Sequence, residues 1–400
     1  MEPRKLYYFD NNATTRVAPE VVEAMLPYLT EHWGNPSSAY QFGRGVARPL
    51  DQARAQLAAL INAEPREITF TSCGTESNNT AIHSALLTQP GKRHILTTAV
   101  EHSATLKFSQ QLQKRGYEVT FLPVEPDGTL DIHLLEKSLR PDTAIVSLMW
   151  ANNETGVLFP LEEVAAICRS RGVLVHTDAV QTAGKLKLDV RELGVDFLSL
   201  SAHKLHAPKG IGLLYIKRRT KFMPYVVGGS QEQGRRGGTE NVPYIIGFGR
   251  AAELALEHQE DENVRVRALR DRLEKTLLKT IPGVSRNGHR ERRLPNTSNL
   301  AFAGVEAEGI LMLLDQLGIC ASSGSACTTG SLEPSHVLTA MGLPPARARS
   351  SVRLSLGRYN TAEEVDYLLK HLPGIIARLR AASPAAEAVP VRAPKAAAAR

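Results

Sequence analysis

Apolar, β-rich runs alternate with amphipathic stretches along the first half of the chain. Seven of these runs predict strands, at 67–71, 94–98, 118–122, 144–149, 173–176, 197–201 and 212–216. Helical stretches separate most of them, for example at 103–115 and 161–171. This alternation predicts an α/β fold in which a mainly parallel seven-stranded sheet is flanked by helices.

The pattern changes near residue 250, where a long charged amphipathic stretch at about 250–280 predicts a connecting helix. We expect a large domain over 14–258 and a smaller α+β domain formed by 1–13 with 259–383. A chain of 400 residues is long enough for two such units. The final segment, 384–400, is rich in Ala and Pro, and this composition predicts disorder because it cannot bury a core.

Composition excludes several classes of protein. No apolar run reaches membrane-spanning length and the N-terminus lacks a signal-peptide pattern, so we expect a cytoplasmic protein without a membrane partner. The net charge of +7 is mild and the basic residues form no aromatic-interleaved stripe, which argues against nucleic-acid binding. The four cysteines show no CxxC spacing, so neither a dedicated metal site nor a disulfide framework is predicted.

Two predicted strands end in polar, reactive side chains. Asp178 closes one run, with Gln181 one helical turn later, and Ser201, His203 and Lys204 close the next. Taken alone, such a lysine is usually a solvated charge and such an aspartate a helix cap. Strand ends of an open α/β sheet share one crevice, however, so the two runs should meet. A lysine that holds an aldehyde as a Schiff base and a carboxylate that keeps a pyridine nitrogen protonated together predict pyridoxal phosphate (PLP).

Three further segments follow strands and could complete the site. Gly74 and Thr75 begin a helix after the first run, where exposed amides suit a phosphate, although an ordinary N-cap is the alternative. His102 could lie over the cofactor ring and move protons, or act as a structural hydrogen-bonder. Asn153 could bind the cofactor or a substrate carboxylate, or serve only in a tight turn.

The C-terminal half contains two more candidates. Cys327 lies in a run of small residues, 321–331, that predicts a mobile loop, and its thiolate could visit a buried site and then an outside acceptor. A packed turn with an idle thiol is the alternative. Arg353 lies in a strand-like run, where a guanidinium could hold a carboxylate in a bidentate fork or be a surface charge.

Eight motifs together resemble the class V, fold-type I cysteine desulfurases, and among them the nitrogen-fixation (NifS-like) type. They are Asn-Asn-Ala-Thr-Thr, Gly-Asn-Pro-Ser-Ser, Thr-Ser-Cys-Gly-Thr-Glu-Ser, Ala-Asn-Asn-Glu-Thr-Gly, His-Thr-Asp-Ala-Val-Gln, Ser-Ala-His-Lys-Leu-His-Ala-Pro-Lys-Gly, Arg-Arg-Gly-Gly-Thr-Glu-Asn and Ser-Ser-Gly-Ser-Ala-Cys-Thr-Thr-Gly-Ser-Leu-Glu-Pro-Ser-His. The resemblance covers about residues 6–383, and the Ala/Pro tail departs from it.

The resemblance implies a homodimeric PLP enzyme that converts L-cysteine to L-alanine. The sulfur would pass as a persulfide of Cys327 to an iron–sulfur scaffold protein, for clusters that include those of nitrogenase, and Cys327 could also be a transient iron–sulfur ligand. Lys204 would form the Schiff base and move the Cα proton. Asp178 would pair with the pyridine nitrogen, Gln181 with the ring hydroxyl, and His102 would stack on the ring face. The phosphate would be held by Thr75, Ser201 and His203, together with Thr239 of the partner subunit. Asn153 and Arg353 would bind the substrate carboxylate.

Two other functions fit parts of the pattern. One is another class V PLP enzyme, either an aminotransferase or a selenocysteine lyase-like enzyme. An aminotransferase needs no nucleophilic thiol, so the Cys327 segment argues against it. The other is a non-catalytic scaffold that binds a cluster or partner through its thiols. The unclustered cysteines, together with Lys204 and Asp178, argue against that function.

Overall fold

A seven-stranded sheet forms the centre of the computed structural model, which describes residues 5–324 and 334–382. The first strand of the chain, β1 (Tyr7–Tyr8), lies outside this sheet. The sheet contains β2 (Ile68–Thr71), β3 (His94–Thr98), β4 (Glu118–Leu122), β5 (Thr143–Met149), β6 (Leu174–Asp178), β7 (Phe197–Ser201) and β8 (Gly212–Ile216). The spatial order is β2-β8-β7-β6-β5-β3-β4. Strand β8 is antiparallel to β2 and β7, and the other neighbouring pairs are parallel. This confirms the predicted fold class.

Helices cover both faces of this sheet. In chain order the helices are α1 (Pro19–Thr30), α2 (Gln41–Arg44), α3 (Ala47–Leu60), α4 (Gly74–Leu87), α5 (Ser103–Lys114), α6 (Ile132–Ser138), α7 (Leu161–Ser170), α8 (Val190–Leu193), α9 (Val242–Thr280), α10 (Ala307–Asp315), α11 (His336–Ala340), α12 (Pro345–Arg349) and α13 (Ala362–Ala382). Ile95 and Ile145 pack in one core with α4 and α5, whereas their neighbours Leu96 and Val146 pack in another with α3, α7 and α9. Successive strand residues point to opposite faces, so apolar runs without polar interruption are what a sheet covered on both sides requires.

A second body of structure follows α9. It contains β9 (Val284–Asn287), β10 (Thr297–Phe302), β11 (Ile319–Cys320) and β12 (Ser351–Ser355), with an antiparallel sheet in the order β12-β10-β9 and a parallel pair of β1 with β11. The later part of α9, α10, α13 and Phe9 share its own hydrophobic core. The division into 14–258 and 1–13 with 259–383 stays a prediction. Phe9 and the later part of α9 join this second core, whereas Val337, Leu338, Met341 and Ala348 pack in the core of the large sheet.

Element boundaries differ from the predicted ones at a few ends. Helix α9 starts at Val242 rather than near residue 250, because its first turns are apolar and buried, as at Ile245 and Phe248, and do not show the charged pattern of the later turns. Strand β6 continues to Asp178 instead of stopping at residue 176. Within the described ranges, no helix is long and apolar enough to cross a membrane. Cys327 and the predicted disordered tail, 384–400, lie outside the described residues.

Candidate active site

A cleft opens at the carboxyl ends of the central strands and gathers most of the predicted site residues. Ten of them line it: Gly74, Thr75, His102, Asn153, Asp178, Gln181, Ser201, His203, Lys204 and Arg353. Thr239 is exposed and lines a separate pocket, so its predicted contact with the phosphate in the partner subunit stays a prediction. Cys327 cannot be placed because it is not among the described residues.

Asp178 ends β6 and is buried at the floor of the cleft. Its Oδ2 accepts a hydrogen bond from Nδ2 of Asn78 at 2.7 Å, and its Oδ1 accepts one from the amide of Val180 at 3.0 Å. Asn78 lies on α4, one turn beyond Thr75. Two donors therefore fix the carboxylate, and its position reflects a contact between α4 and β6 as well as the local turn.

Lys204 follows β7 in a short 3₁₀ turn, and its amine points at the N-terminal segment of the chain. The Nζ atom lies 2.6 Å from the main-chain oxygen of Asn12 and 2.6 Å from that of Ala13. Gln181 Nε2 donates to the same Asn12 oxygen at 3.0 Å. The amine is therefore held at the cleft by acceptors that the sequence motifs did not identify.

The end of the cleft near α4 has the properties of an anion site. Helix α4 begins at Gly74 directly after β2, and Cys73 at the N-cap makes no side-chain capping bond. A Cβ atom at Gly74 would lie 3.0 Å from Val180 Cγ2 and 3.4 Å from Ser201 Cβ, so glycine lets the helix start lie close to the strand end without crowding. Exposed amides and the helix dipole favour an anion here, and a phosphate fits.

His102 lines the cleft and also caps a helix, so the structural and functional interpretations both apply. Its Nδ1 accepts the amide of Ala104 at 3.2 Å, which leaves the proton of the neutral ring on Nε2. Burial lowers the pKa of His102, and the nearby carboxylate of Asp178 opposes this effect. A neutral, fixed imidazole is suited to packing on an aromatic ring.

Burial also shifts the pKa of two further residues, His203 in the cleft and Glu101. His203 has its pKa lowered to about 3, first by burial and then by the charge of Lys204, and its Nδ1 lies 3.1 Å from Thr14 Oγ1. Glu101 is fully buried, and burial raises its pKa to about 8. Its carboxyl oxygens accept from Thr98 Oγ1 at 2.7 Å and from the Met149 amide at 2.9 Å. Glu101 therefore connects the ends of β3 and β5 below the cleft.

Arg353 lies on β12 and is only 1% exposed, so the surface-charge alternative was wrong. Its Nη2 donates to Asp10 Oδ1 at 2.6 Å and its Nη1 to the main-chain oxygen of Asn153 at 3.0 Å. The preceding residue, Asn152, forms the tight turn, because its Oδ1 accepts the amides of Glu154 and Thr155 at 2.9 Å each. Asn153 is thereby left to line the cleft.

The chain on both sides of Cys327 is anchored next to the cleft. Before it, the main chain of Ser322 exchanges two hydrogen bonds with that of Arg353, at 3.2 and 2.6 Å. After it, Ser335 Oγ donates to Oε2 of the buried Glu154 at 2.5 Å. The described residues on the two sides are therefore held by Arg353, which lines the cleft, and by Glu154, which follows the cleft residue Asn153.

Sequence reasoning missed four residues that matter for this geometry. Asn12 and Ala13 belong to the Asn-Asn-Ala-Thr-Thr motif, which was recognised but assigned no role. Asp10 precedes that motif by one residue, and nothing in its spacing indicates a contact with Arg353. Asn78 could have been found, since it lies one helical turn after Thr75 and therefore on the same side of α4.

Comparison with known proteins agrees with this geometry. The aminotransferase class-V family model matches residues 7–368. Cysteine desulfurase 2 of Trichormus variabilis is 56% identical over 94% of both chains, and cysteine desulfurase NifS of Azotobacter vinelandii is 53% identical over 94% of both. A solved NifS-like protein superposes with a TM-score of 0.87 at 39% identity, covering 93% of this chain and 99% of its own. The chain thus belongs to the class-V aminotransferase family and, within it, to the PLP-dependent cysteine desulfurases.

Proposed function

We propose that this cleft removes sulfur from L-cysteine and releases L-alanine. The observation that carries the proposal is the convergence on one cleft of Lys204 from the turn after β7, Asp178 from the end of β6 and Arg353 from β12. The first two suit the cofactor, and the third suits an amino-acid carboxylate. When bound, PLP draws electron density away from the substrate Cα and so makes its proton removable.

The residues around the cleft divide into those for the ring and those for the phosphate. Asp178 would pair with the ring nitrogen and Gln181 with the ring hydroxyl, while the neutral imidazole of His102 would pack on the ring face. Gly74, Thr75, Ser201 and His203 would hold the phosphate at the start of α4, with Thr239 of the partner subunit. The close approach at Gly74 and the two donors on Asp178 support this assignment.

Lys204 would hold the cofactor aldehyde and move the Cα proton. Arg353 and Asn153 would bind the substrate carboxylate, which orients the Cβ–S bond. Arg353 is suited to this role because its guanidinium is already fixed by Asp10 and by the Asn153 main chain, so little side-chain entropy is lost on binding.

Cys327 would take the sulfur. Its thiolate attacks the substrate sulfur, the Cβ–S bond breaks with its electron pair moving to Cβ, and a proton added there completes L-alanine. L-cysteine and one thiol therefore give L-alanine and one persulfide, with no external oxidant. We propose an iron–sulfur scaffold protein as the acceptor, for clusters that include those of nitrogenase, and the cytoplasm as the location.

We also propose that the enzyme is a homodimer. Val22, Leu26 and Leu29 share one face of α1 and are 50–54% exposed, and Trp33 just beyond the helix is 69% exposed. Large exposed apolar side chains of this kind suit a protein interface. Thr239 is exposed as well, which suits a residue that serves the partner's cleft.

The test is the Cys327→Ala variant given L-cysteine. Alanine release should fall by about three orders of magnitude or more, because a covalent nucleophile is lost. Exchange of the Cα proton with deuterated water should continue, because Lys204, Asp178 and Arg353 are unchanged. The unmutated protein without reductant should gain one sulfur on the peptide that contains Cys327, detected by mass spectrometry, and Cys320→Ala is the matched control.

Two results would contradict the proposal. Undiminished alanine release from Cys327→Ala, with no sulfur gained on Cys327, would end the thiol mechanism. Conversion of L-cysteine to its keto acid, with the cofactor left as pyridoxamine phosphate, would instead indicate an aminotransferase.

A further inference from the structure

The main-chain oxygens of Asn12 and Ala13 form a two-oxygen cradle around the amine of Lys204. Each oxygen lies 2.6 Å from Nζ. Carbonyl oxygens can only accept hydrogen bonds, so the cradle is matched to an amine or ammonium group that donates. A neutral amine has two N–H groups, so it can donate to both oxygens and keep its lone pair free to accept a proton.

The side chain of Asn12 fixes this cradle in place. Asn12 is 1% exposed, and its Nδ2 donates to the Asn153 main-chain oxygen at 3.1 Å and to Thr297 Oγ1 at 2.9 Å. Its Oδ1 accepts from Asn296 Nδ2 at 3.0 Å. One amide therefore joins the cradle to β10 and to the loop after β5, and a shift of that amide would move both oxygens.

We propose that Asn12 is a positioning residue, and that the cradle it fixes holds the Lys204 amine whenever the substrate or product has displaced that amine from the cofactor. The proposal rests on the assignment of Lys204 as the cofactor lysine. The cradle keeps the displaced amine beside the cleft, where it can move the Cα proton and later rejoin the cofactor.

Asn11 provides a matched control because it is a buried asparagine on the same segment. Its Nδ2 donates to the main-chain oxygen of Ser355 at 3.0 Å and to Asn360 Oδ1 at 3.2 Å. Neither partner lines the cleft. Asn11→Ala should therefore reproduce the stability loss of a buried asparagine without the effect on Lys204.

The experiment measures amine binding to the full-length holoenzyme from the absorbance change of the cofactor. L-alanine and ethylamine are compared, because both displace Lys204 but only L-alanine has a carboxylate. In Asn12→Ala both dissociation constants should rise about tenfold, since a displaced amine that is poorly held competes better for the cofactor. Asn11→Ala should leave both unchanged. Asn12→Asp keeps the shape but cannot donate to the Asn153 oxygen, so it should raise both dissociation constants as Asn12→Ala does.

Two outcomes would overturn the proposal. Unchanged binding of both amines in Asn12→Ala and Asn12→Asp would show that the cradle does not hold the displaced amine. A loss confined to L-alanine would show that Asn12 acts through Asn153 on the carboxylate. Failure of the proposed function gives a different result, because Lys204→Ala would then keep a borohydride-reducible covalent link between protein and cofactor.

Discussion

The strand ends after β6 and β7 and the N-terminal segment 10–15 both border the cleft, but they contribute different atoms. The strand ends present side chains, Asp178 and Lys204. The N-terminal segment mainly presents main-chain oxygens to Lys204, while the carboxylate of Asp10 holds Arg353. The strand ends therefore carry the groups that would perform the chemistry, and the N-terminal segment carries groups that would hold them. Variants in the two regions should change different kinetic constants.

The largest effect is expected at the strand end, in Asp178→Asn. The cofactor should remain bound, but the ring nitrogen loses the anion that keeps it protonated, so kcat should fall roughly a hundredfold or more. Exchange of the Cα proton in deuterated water, followed by mass spectrometry, measures the affected step.

Asp196→Asn is the matched control for this variant. Asp196 is a half-buried carboxylate that precedes β7, at the opposite end of the sheet, and its Oδ2 accepts the amide of Val175 at 2.9 Å. Its replacement should lower stability and leave exchange unchanged. Exchange at the unmutated rate in Asp178→Asn would show that Asp178 is not the ring partner.

A smaller effect is expected in the N-terminal segment, in Asp10→Asn. Burial raises the pKa of Asp10, whereas the charge of Arg353 opposes this shift. Asparagine keeps an oxygen that can accept from Nη2 but removes a negative charge that repels the substrate carboxylate. KM for L-cysteine should therefore fall roughly three- to tenfold, with kcat little changed.

Ethylamine binding is the control for Asp10→Asn, because ethylamine has no carboxylate and its dissociation constant should stay the same. A KM above the unmutated value would contradict the prediction. It would show that the full charge of Asp10 is needed to keep Arg353 directed at the cleft.

The smallest effect on activity is expected at His176, which lies on β6 two residues before Asp178 but inside the sheet. Its ring nitrogens lie 2.8 Å from Ser147 Oγ and 2.8 Å from Ser199 Oγ, and burial lowers its pKa to about 4. The folded protein keeps this ring neutral while the unfolded chain protonates it. Its contribution to stability is thus present above pH of about 6.5 and is lost as the pH falls toward 4.

His176→Gln tests this contribution to stability. The unfolding free energy of the variant should fall less between pH 7 and pH 5 than that of the unmutated protein, by roughly 2 kcal/mol. Urea midpoints at the two pH values measure the difference, and turnover at pH 7.5 should change little. An equal fall in both proteins would show that His176 is not kept neutral by the fold.

The sheet could be predicted from sequence because its signal is local. Four of the seven predicted strands, such as 94–98 and 197–201, match the structure at both ends, since a covered parallel sheet needs continuous apolar runs. The predicted start of α9 was wrong because its first turns, from Val242, are apolar and buried and lack the charged pattern of the later turns. The candidate residues at strand ends followed from the same rule, because parallel strands bring their carboxyl ends to one edge.

The sequence by itself therefore determined the fold class, the reactive side chains at the strand ends and the family. Only the tertiary structure decided which groups hold the reactive side chains. Asn78 bonds to Asp178, the main-chain oxygens of Asn12 and Ala13 bind Lys204, and Asp10 binds Arg353. The physical reason is that every residue has a main-chain oxygen, so no residue type in the sequence indicates which of these oxygens will bind a lysine amine. The contact of Asp10 with Arg353 joins positions 343 residues apart, and it arises from the packing of the N-terminal segment against β12.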